Sequence, residues 1–181
     1  MYKTFFKPYP VIKTKRTVLK MPEYKSAEDM FKLCKNENVA RYSDWTAHKN
    51  IYESAALIRM LHKKYRKNCC FTFGIYLRES NRLIGTVSIA EINYNYKIAQ
   101  IGYSLNEDYW HKGYAFEAVK AFMDFLFTKV GVERIEAKVM VENTASEKLL
   151  IKLGFTKEAL LKKGAVCRGD PVNVNLFSLV K

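Results

Sequence analysis

A single glycine separates an apolar strand pattern from an amphipathic helix pattern in the stretch YWHKGYAFEAVKAF, residues 109–122. The first backbone N–H groups of a helix have no partner inside it, and the helix dipole favours negative charge beside them. Gly113 and Ala115 keep this point free of bulky side chains, and Lys112 adds a positive charge. Such residues are typical of a phosphate site, but also of an ordinary helix start. Because no G-x-x-x-x-G-K-[ST] or G-x-G-x-x-G motif accompanies them, the stretch alone favours the ordinary helix start.

A second group of polar residues follows the next strand pattern, in the stretch NTASEKLLIKLGF, residues 143–155. Thr144 and Glu147 fit a capping box, which predicts a helix that needs no ligand. Asn143 and Ser146 would then lie at the mouth between this strand and its neighbour, within reach of a molecule that enters between the strands. Each group has a structural explanation, but their order and spacing together favour a ligand site.

The hydrophobic period predicts the elements that position these residues. The predicted order is an initial strand, two helices, a three-stranded antiparallel meander, a helix, a strand, a helix and a closing strand pair. Ser26 and Asp29 predict a capping box at the first helix, and Gly131 and Gly154 predict the ends of the last two helices. The segment from Ile98 to Val141 predicts two parallel strands joined by a right-handed crossover. The order indicates an α/β sandwich around a mixed sheet.

Composition limits the class of protein. The chain has 181 residues, of which 49% are hydrophobic and 14% aromatic, so we expect one folded domain over residues 1–181. No apolar run approaches the ~18 residues of a membrane span, and no signal peptide pattern is visible, so we expect a cytoplasmic protein without membrane contact. The cysteines and histidines have no zinc spacing, so we expect no metal and four reduced thiols, Cys34, Cys69, Cys70 and Cys167.

The formal net charge is +13, which predicts attraction to polyanions such as nucleic acid, a ribosome or a phosphorylated cofactor. The lysines are spread along the chain, and the densest cluster, HKKYRK at 62–67, is typical of a solvated helix end. We therefore expect contact with nucleic acid to be indirect only. The same charge disfavours polycationic substrates, unless a local acidic pocket overrides the repulsion.

Two long stretches, IGYSLNEDYWHKGYAFEAV at 101–119 and IEAKVMVENTASEKLLIKLGF at 135–155, resemble the GNAT acyltransferase superfamily. The chain is similar to its RimJ/RimL branch, the ribosomal-protein-alanine N-acetyltransferases. That branch typically has an aromatic-Gly-Lys-Gly-Tyr-Ala turn, followed by Glu-Ala, N-x-x-S and Leu-Gly-Phe. Two segments nearer the N-terminus, TKRTVLKMP and ENVARY, also match the branch. The resemblance covers essentially the whole chain. It implies the α/β GNAT-type acyl-CoA N-acyltransferase fold, with a mixed, mostly antiparallel sheet flanked by helices, and acetyl-CoA as co-substrate.

The resemblance also implies site residues by position. It assigns to the pyrophosphate turn Trp110, His111, Lys112, Gly113, Tyr114 and Ala115. It assigns to the strand that pairs with the pantetheine amides Tyr103, Ser104 and Leu105. Asn143 would contact the pantetheine arm, and Ser146 would lie near the thioester sulfur. His111 stands where the family usually has glycine, which we expect the backbone donors to tolerate, and Gln100 stands where an acidic residue is common.

The implied reaction is direct attack of an amine on the thioester in a ternary complex. It requires a neutral amine, a polarised carbonyl and a proton for the departing thiolate. We expect a backbone N–H near Leu105 to polarise the carbonyl, and Ser146 to supply the proton, because Ile151 stands where many GNAT relatives have a tyrosine. Glu91 is the candidate base, since it alternates in phase with Leu83, Val87 and Ile89 and would face the substrate cleft. An exposed strand-end carboxylate is the alternative.

The absence of a clear base favours one type of amine. An α-amine has a pKa near 7.7–8.0 and a lysine near 10.4, so at pH 7 the α-amine is neutral roughly 300-fold more often. We therefore expect the acceptor to be a protein N-terminus, such as that of a ribosomal protein. As a separate expectation, the enzyme is a monomer or a homodimer. The alternatives are a small amine (a polyamine, aminoglycoside or amino acid) and a non-catalytic module that binds acyl-CoA or RNA.

Overall fold

Segments with a two-residue period form eight strands in the computed structural model, which describes residues 6–67 and 71–181. The strands are β1 (Ile12–Lys13), β2 (Thr17–Lys20), β3 (Phe71–Leu77), β4 (Leu83–Asn93), β5 (Ile98–Leu105), β6 (Arg134–Met140), β7 (Thr156–Cys167) and β8 (Asp170–Val180). They lie in the order β1-β2-β3-β4-β5-β6-β8-β7. Only β5 and β6 pair in parallel, so the predicted mixed, mostly antiparallel sheet is confirmed for the described residues.

Segments with a helical period cover the two faces of the sheet. The α-helices of the described residues are α1 (Ala27–Cys34), α2 (Glu37–Ala40), α3 (Ile51–Arg66), α4 (Tyr114–Phe125) and α5 (Thr144–Lys152). A π-helical turn, Leu126–Val130, extends α4, and Gly131 ends it with a φ of 79°, as predicted. The short α2 was not predicted, because four residues are too few to show a helical period. Within the described ranges, no helix combines the length and the apolar character that crossing a membrane demands.

Two apolar clusters hold these layers together. On one face, α4 and its π-helical extension pack Val119, Phe122 and Leu126 into the larger cluster, and all three are fully buried. On the other face, α1 and α3 pack against Tyr76 and Leu83. The interior also accounts for two of the expected thiols: Cys34 and Cys167 are buried and free, while Cys69 and Cys70 lie outside the described residues.

Both predicted capping boxes are wrong: at α1 the two side chains make tertiary contacts, and at α5 the N-cap residue lies one position earlier than predicted. The hydroxyl of Ser26 lies 3.1 Å from the Tyr76 hydroxyl and does not cap α1. Asp29 accepts instead from the backbone N–H of Leu83, 54 residues away. At α5 the N-cap residue is Asn143, whose Oδ1 accepts from the backbone N–H of Ser146.

The pairing of β5 with β6 opens a cleft in the sheet. Only the first three residues of each strand pair, from Ile98 with Arg134 to Gln100 with Glu136. Beyond them β5 stays bonded to β4, and β6 stays bonded to β8. The predicted parallel unit around α4 is thus confirmed. In addition, the backbone groups of residues 101–105 that face β6 have no strand partner on that side within the described chain.

Candidate active site

The turn before α4 leaves the first backbone N–H groups of this helix without a side-chain cap. Gly113 is the N-cap residue and has a φ of 79°, a conformation that L side chains rarely adopt. A Cβ atom at this position would lie 3.3 Å from Nη2 of Arg16, so the turn also has little room for a side chain on that side. Bare N–H donors at the positive end of a helix dipole form an anion site.

His111 also has a left-handed backbone, with a φ of 58°. This conformation explains why glycine is usual here in the family that the chain resembles, since glycine adopts positive φ without a steric penalty. Histidine is among the residues that tolerate it best. The side chain of His111 is exposed, so the imidazole is directed away from the packed part of the turn.

Arg16 holds this turn and was missed by the sequence analysis. Its Nη1 donates to the carbonyl of Lys112 at 2.9 Å, its Nε donates to Glu117 at 2.7 Å, and its guanidinium lies 4.3 Å from the centre of the Tyr114 ring. Burial would raise the pKa of Glu117, but hydrogen bonds from Thr14 and Arg16 outweigh it and lower that pKa. Arg16 therefore neutralises an acidic side chain in the first turn of α4, where it would repel a phosphate.

Other side chains of the turn also have structural partners. The indole of Trp110 donates to the carbonyl of Leu105 at 2.8 Å and so ties the end of β5 to the turn. The ammonium of Lys112 donates to the carbonyl of Asp108 at 2.7 Å. These contacts fix the shape of the turn, so the groups left for a ligand are mainly backbone N–H groups.

Tyr103 and Ser146 meet across the cleft. The Tyr103 hydroxyl lies 2.6 Å from Oγ of Ser146, and burial raises the pKa of Tyr103 to about 12, although this hydrogen bond opposes the shift. Asn143 accepts from the backbone N–H of Ser146 at 3.1 Å, and its Nδ2 makes no hydrogen bond within the described residues. The structure thus brings together three residues that the resemblance assigned only by position. No sequence pattern indicates that the Tyr103 side chain contacts Ser146.

Glu91 does not lie where the strand period predicted. The register of β4 shifts between Ile89 and Glu91, and Glu91 pairs with Gln100. Residues that pair across strands share a face, and Gln100 lies between two buried core residues of β5, so both side chains point away from the core. The prediction that Glu91 shares the face of Val87 and Ile89 is therefore wrong, because one extra residue, Ala90, inverts the alternation.

The face that Glu91 occupies carries a polar row beside the cleft. The row consists of three cross-strand pairs of β4 and β5: Thr86 with Ser104, Ser88 with Gly102, and Glu91 with Gln100. All six residues are half-buried or exposed. The opposite face of the same strands is apolar and covered by α4, so a polar molecule can approach the cleft from the side of the polar row.

A cleft between parallel strands, with uncapped helix N–H groups at its mouth, can accommodate an extended ligand that carries a phosphate. Residues 16–156 match the Acetyltransferase (GNAT) domain, so the chain belongs to the GNAT acetyltransferase family. The protein is thus an acyltransferase whose relatives include RimJ/RimL-type ribosomal-protein acetyltransferases. Within the described residues, no group of three or more His, Cys, Asp or Glu side chains could hold a metal ion.

Comparison with known proteins supports this assignment. The uncharacterized N-acetyltransferase p20 of Bacillus licheniformis is 34% identical over 168 residues, which cover 93% of this chain and 94% of p20. The [ribosomal protein uS5]-alanine N-acetyltransferase of Escherichia coli is 28% identical over 108 residues, 59% of this chain and 56% of that protein. The spermidine N(1)-acetyltransferase of Vibrio cholerae is 29% identical over 127 residues, 70% of each chain.

The fold also matches solved structures. The microcin C7 self-immunity acetyltransferase MccE was crystallised in complex with acetyl-CoA and AMP. It superposes on this chain with a TM-score of 0.82 at 26% identity, covering 92% of this chain and 93% of MccE.

Proposed function

We propose that this enzyme transfers the acetyl group of acetyl-CoA to the α-amine of a protein N-terminus. The observation that carries the proposal is the bare helix start of α4 at the mouth of the β5–β6 cleft. The pyrophosphate would bind the N–H groups of the turn formed by Trp110, His111, Lys112, Gly113, Tyr114 and Ala115. The charge of Lys112 and the neutralisation of Glu117 by Arg16 favour the same negative ligand.

The unpaired edge of β5 would bind the pantetheine arm. Tyr103, Ser104 and Leu105 lie where β5 has no partner on the side of β6, and their backbone groups would pair with the pantetheine amides as a missing strand would. The Nδ2 group of Asn143 would donate to the same arm. Because the arm would then run towards Ser146, the thioester would be placed beside this hydroxyl.

We propose Ser146 as the catalytic residue that protonates the leaving sulfur. The amine nitrogen attacks the thioester carbon, a backbone N–H near Leu105 polarises the carbonyl oxygen, and the C–S bond breaks. The sulfur takes a proton from Oγ of Ser146, and the proton released by the amine returns to this Oγ through solvent, so no net proton is gained or lost. The Tyr103 hydroxyl, at 2.6 Å, holds this Oγ in place and remains protonated at physiological pH because its pKa is about 12.

We propose that Glu91 removes the proton of the amine through a water molecule. Glu91 is exposed and lies on the polar row, the side of the sheet from which an acceptor can approach. A water relay to an exposed carboxylate is a modest base, and a modest base suffices for an α-amine, which is partly neutral at pH 7. The relative that acts on ribosomal protein uS5 supports a protein acceptor.

A small amine is the second candidate acceptor, because one relative is a spermidine N(1)-acetyltransferase. Spermidine is a polycation, and the formal net charge of +13 disfavours its approach.

Acetylation of a panel of N-terminal peptides, spermidine and amino acids by the purified enzyme would separate the candidates. We expect micromolar binding of acetyl-CoA and the highest kcat/KM on peptide α-amines. Absence of acetyl-CoA binding would overturn the proposed activity, and a preference for spermidine would overturn the proposed acceptor.

A further inference from the structure

An open cavity of about 440 Å³ lies next to the start of α5. Three segments that are distant in sequence form its wall: the residues after α2, the end of β6, and the hairpin of β7 and β8. Its charged lining residues are Arg41, Glu142, Lys163 and Arg168. None of the site residues predicted from the sequence lies in it.

The charges of this cavity are unbalanced. Three lining side chains are cationic, and Glu142 is the acidic one among the lining residues that the structure describes. Arg41, Lys163 and Arg168 are exposed, and none of them forms an ion pair within the described chain. By contrast, Arg16 and Arg134 each pair with a glutamate. A concave site with unpaired cations attracts anionic groups more strongly than a flat surface does.

The backbone holds two of these cations in an uncommon conformation. Lys163 has a φ of 50° and Arg168 a φ of 52°, in the left-handed region where lysine and arginine are rare. Asn173 accepts from the backbone N–H of Lys163 at 2.9 Å. The thiol of Cys167 lies 3.0 Å from the carbonyl of Ser43, so the hairpin is fastened to the segment that carries Arg41. The backbone segment that carries Lys163 and Arg168 is therefore held by contacts with the rest of the fold.

The cavity lies within reach of the proposed transfer point. Tyr42 donates to the carbonyl of Glu142, which is followed directly by Asn143. Glu142 is four residues from Ser146, so the two Cα atoms are at most about 15 Å apart. An extended peptide advances about 3.3 Å per residue, so a peptide whose α-amine meets the thioester can place a side chain of its first five residues in the cavity.

We propose that this cavity binds the acidic side chains of the acceptor, so that the enzyme prefers N-termini with aspartate or glutamate among residues two to five. The inference rests on the function proposed above and names the class of its acceptor. An acidic acceptor peptide would place its carboxylates against Arg41, Lys163 and Arg168. A polyamine would meet repulsion from the same three cations.

The test compares peptides that differ only in charge. Three peptides with the same N-terminal residue would carry two glutamates, two glutamines or two lysines at positions three and four. We expect the glutamate peptide to have a kcat/KM about tenfold above the glutamine peptide and higher still above the lysine peptide. Equal kcat/KM values for the three peptides, or a preference for lysine, would overturn the inference while leaving the acetyltransferase activity intact.

A double variant assigns this preference to the cavity. Lys163→Asn with Arg168→Asn removes two cations and introduces a residue that tolerates positive φ, so the hairpin is expected to fold. We expect the KM for the glutamate peptide to rise about tenfold, with kcat and the Kd for acetyl-CoA within twofold of the parent enzyme. The control is Lys63→Gln with Lys64→Gln, which removes two exposed charges on α3. If the control raises the KM equally, the preference comes from net charge and the cavity is not the site.

Discussion

The turn before α4 and the cavity beside α5 present positive potential in different ways. At the turn, the donors are backbone N–H groups, and the nearby side chains of Arg16 and Lys112 are already bonded to protein atoms. At the cavity, the positive groups are the side chains themselves, without acidic partners in the described structure. Every substitution except one to proline keeps a backbone N–H donor, whereas a substitution replaces a side-chain donor. On the proposals above, the turn would bind the cofactor through its backbone, and the cavity would select the acceptor through its side chains.

The largest effect on turnover is expected where the two regions meet, at Ser146. Ser146→Ala removes the proposed proton donor, so we expect kcat to fall by about 100-fold, the lower range for a lost general acid. The Kd for acetyl-CoA should remain within a few-fold, because the backbone contacts stay in place. Thr144→Ala, in the same helical turn and exposed, is the matched control. An unchanged kcat in Ser146→Ala would remove this residue from the mechanism.

A smaller effect is expected from loosening the turn. Arg16→Gln breaks the ion pair with Glu117 and the hydrogen bond to the carbonyl of Lys112. We expect acetyl-CoA affinity to fall about tenfold and the free energy of unfolding to fall by about 1 kcal/mol, because a partly exposed charged pair contributes little more. Lys15→Gln makes the same charge change one residue away. If titration calorimetry shows that both variants lose the same acetyl-CoA affinity, only the net charge of the turn matters for binding.

The protonation of Glu117 provides a pH-dependent version of the same test. Its folded-state pKa is lowered from an unfolded value near 4.3, so its contribution to stability is present above about pH 4.3 and is lost as the pH falls through the folded pKa. Glu117→Gln lacks this ionisation. We expect the difference in unfolding free energy between parent and variant to shrink as the pH falls from 6 to about 3. A constant difference in denaturant titrations over this range would show that the carboxylate charge does not stabilise the turn.

The smallest effect is expected at His111. His111→Gly removes a side chain from a residue with positive φ, so we expect a slightly raised Tm and an acetyl-CoA affinity within twofold of the parent. This outcome would support binding by the backbone. A tenfold loss of affinity would instead show that the imidazole contacts the phosphates, and the turn would then resemble the cavity in its use of side chains.

The sequence predicted those features of the structure that depend on residues close together in the chain. The bare start of α4, the meander and the parallel unit all appear in local periods and single glycines. Arg16 and Glu117 are 101 residues apart, and the walls of the cavity come from three segments that are distant in sequence, so no local pattern could indicate either contact. The orientation of Glu91 was missed for a different reason, since one bulged residue reverses which side chains face the core. The capping box predicted at α1 does not form because Ser26 and Asp29 have partners across the fold, and the one at α5 does not form because Asn143 is the N-cap.

Gly113 permits the most direct test of the claim that backbone donors at the start of α4 bind the diphosphate of acetyl-CoA. Gly113 and Gly131 both have a φ of 79°, and they flank the same helix, one before its start and one after its π-helical extension. Replacement by alanine or tryptophan imposes a similar backbone penalty at either site, but only Gly113 adjoins the proposed ligand. Titration calorimetry should show acetyl-CoA affinity reduced about 100-fold or more in Gly113→Trp and nearly unchanged in Gly131→Trp, with the alanine variants in the same order. Equal affinities for the two folded variants would contradict the claim.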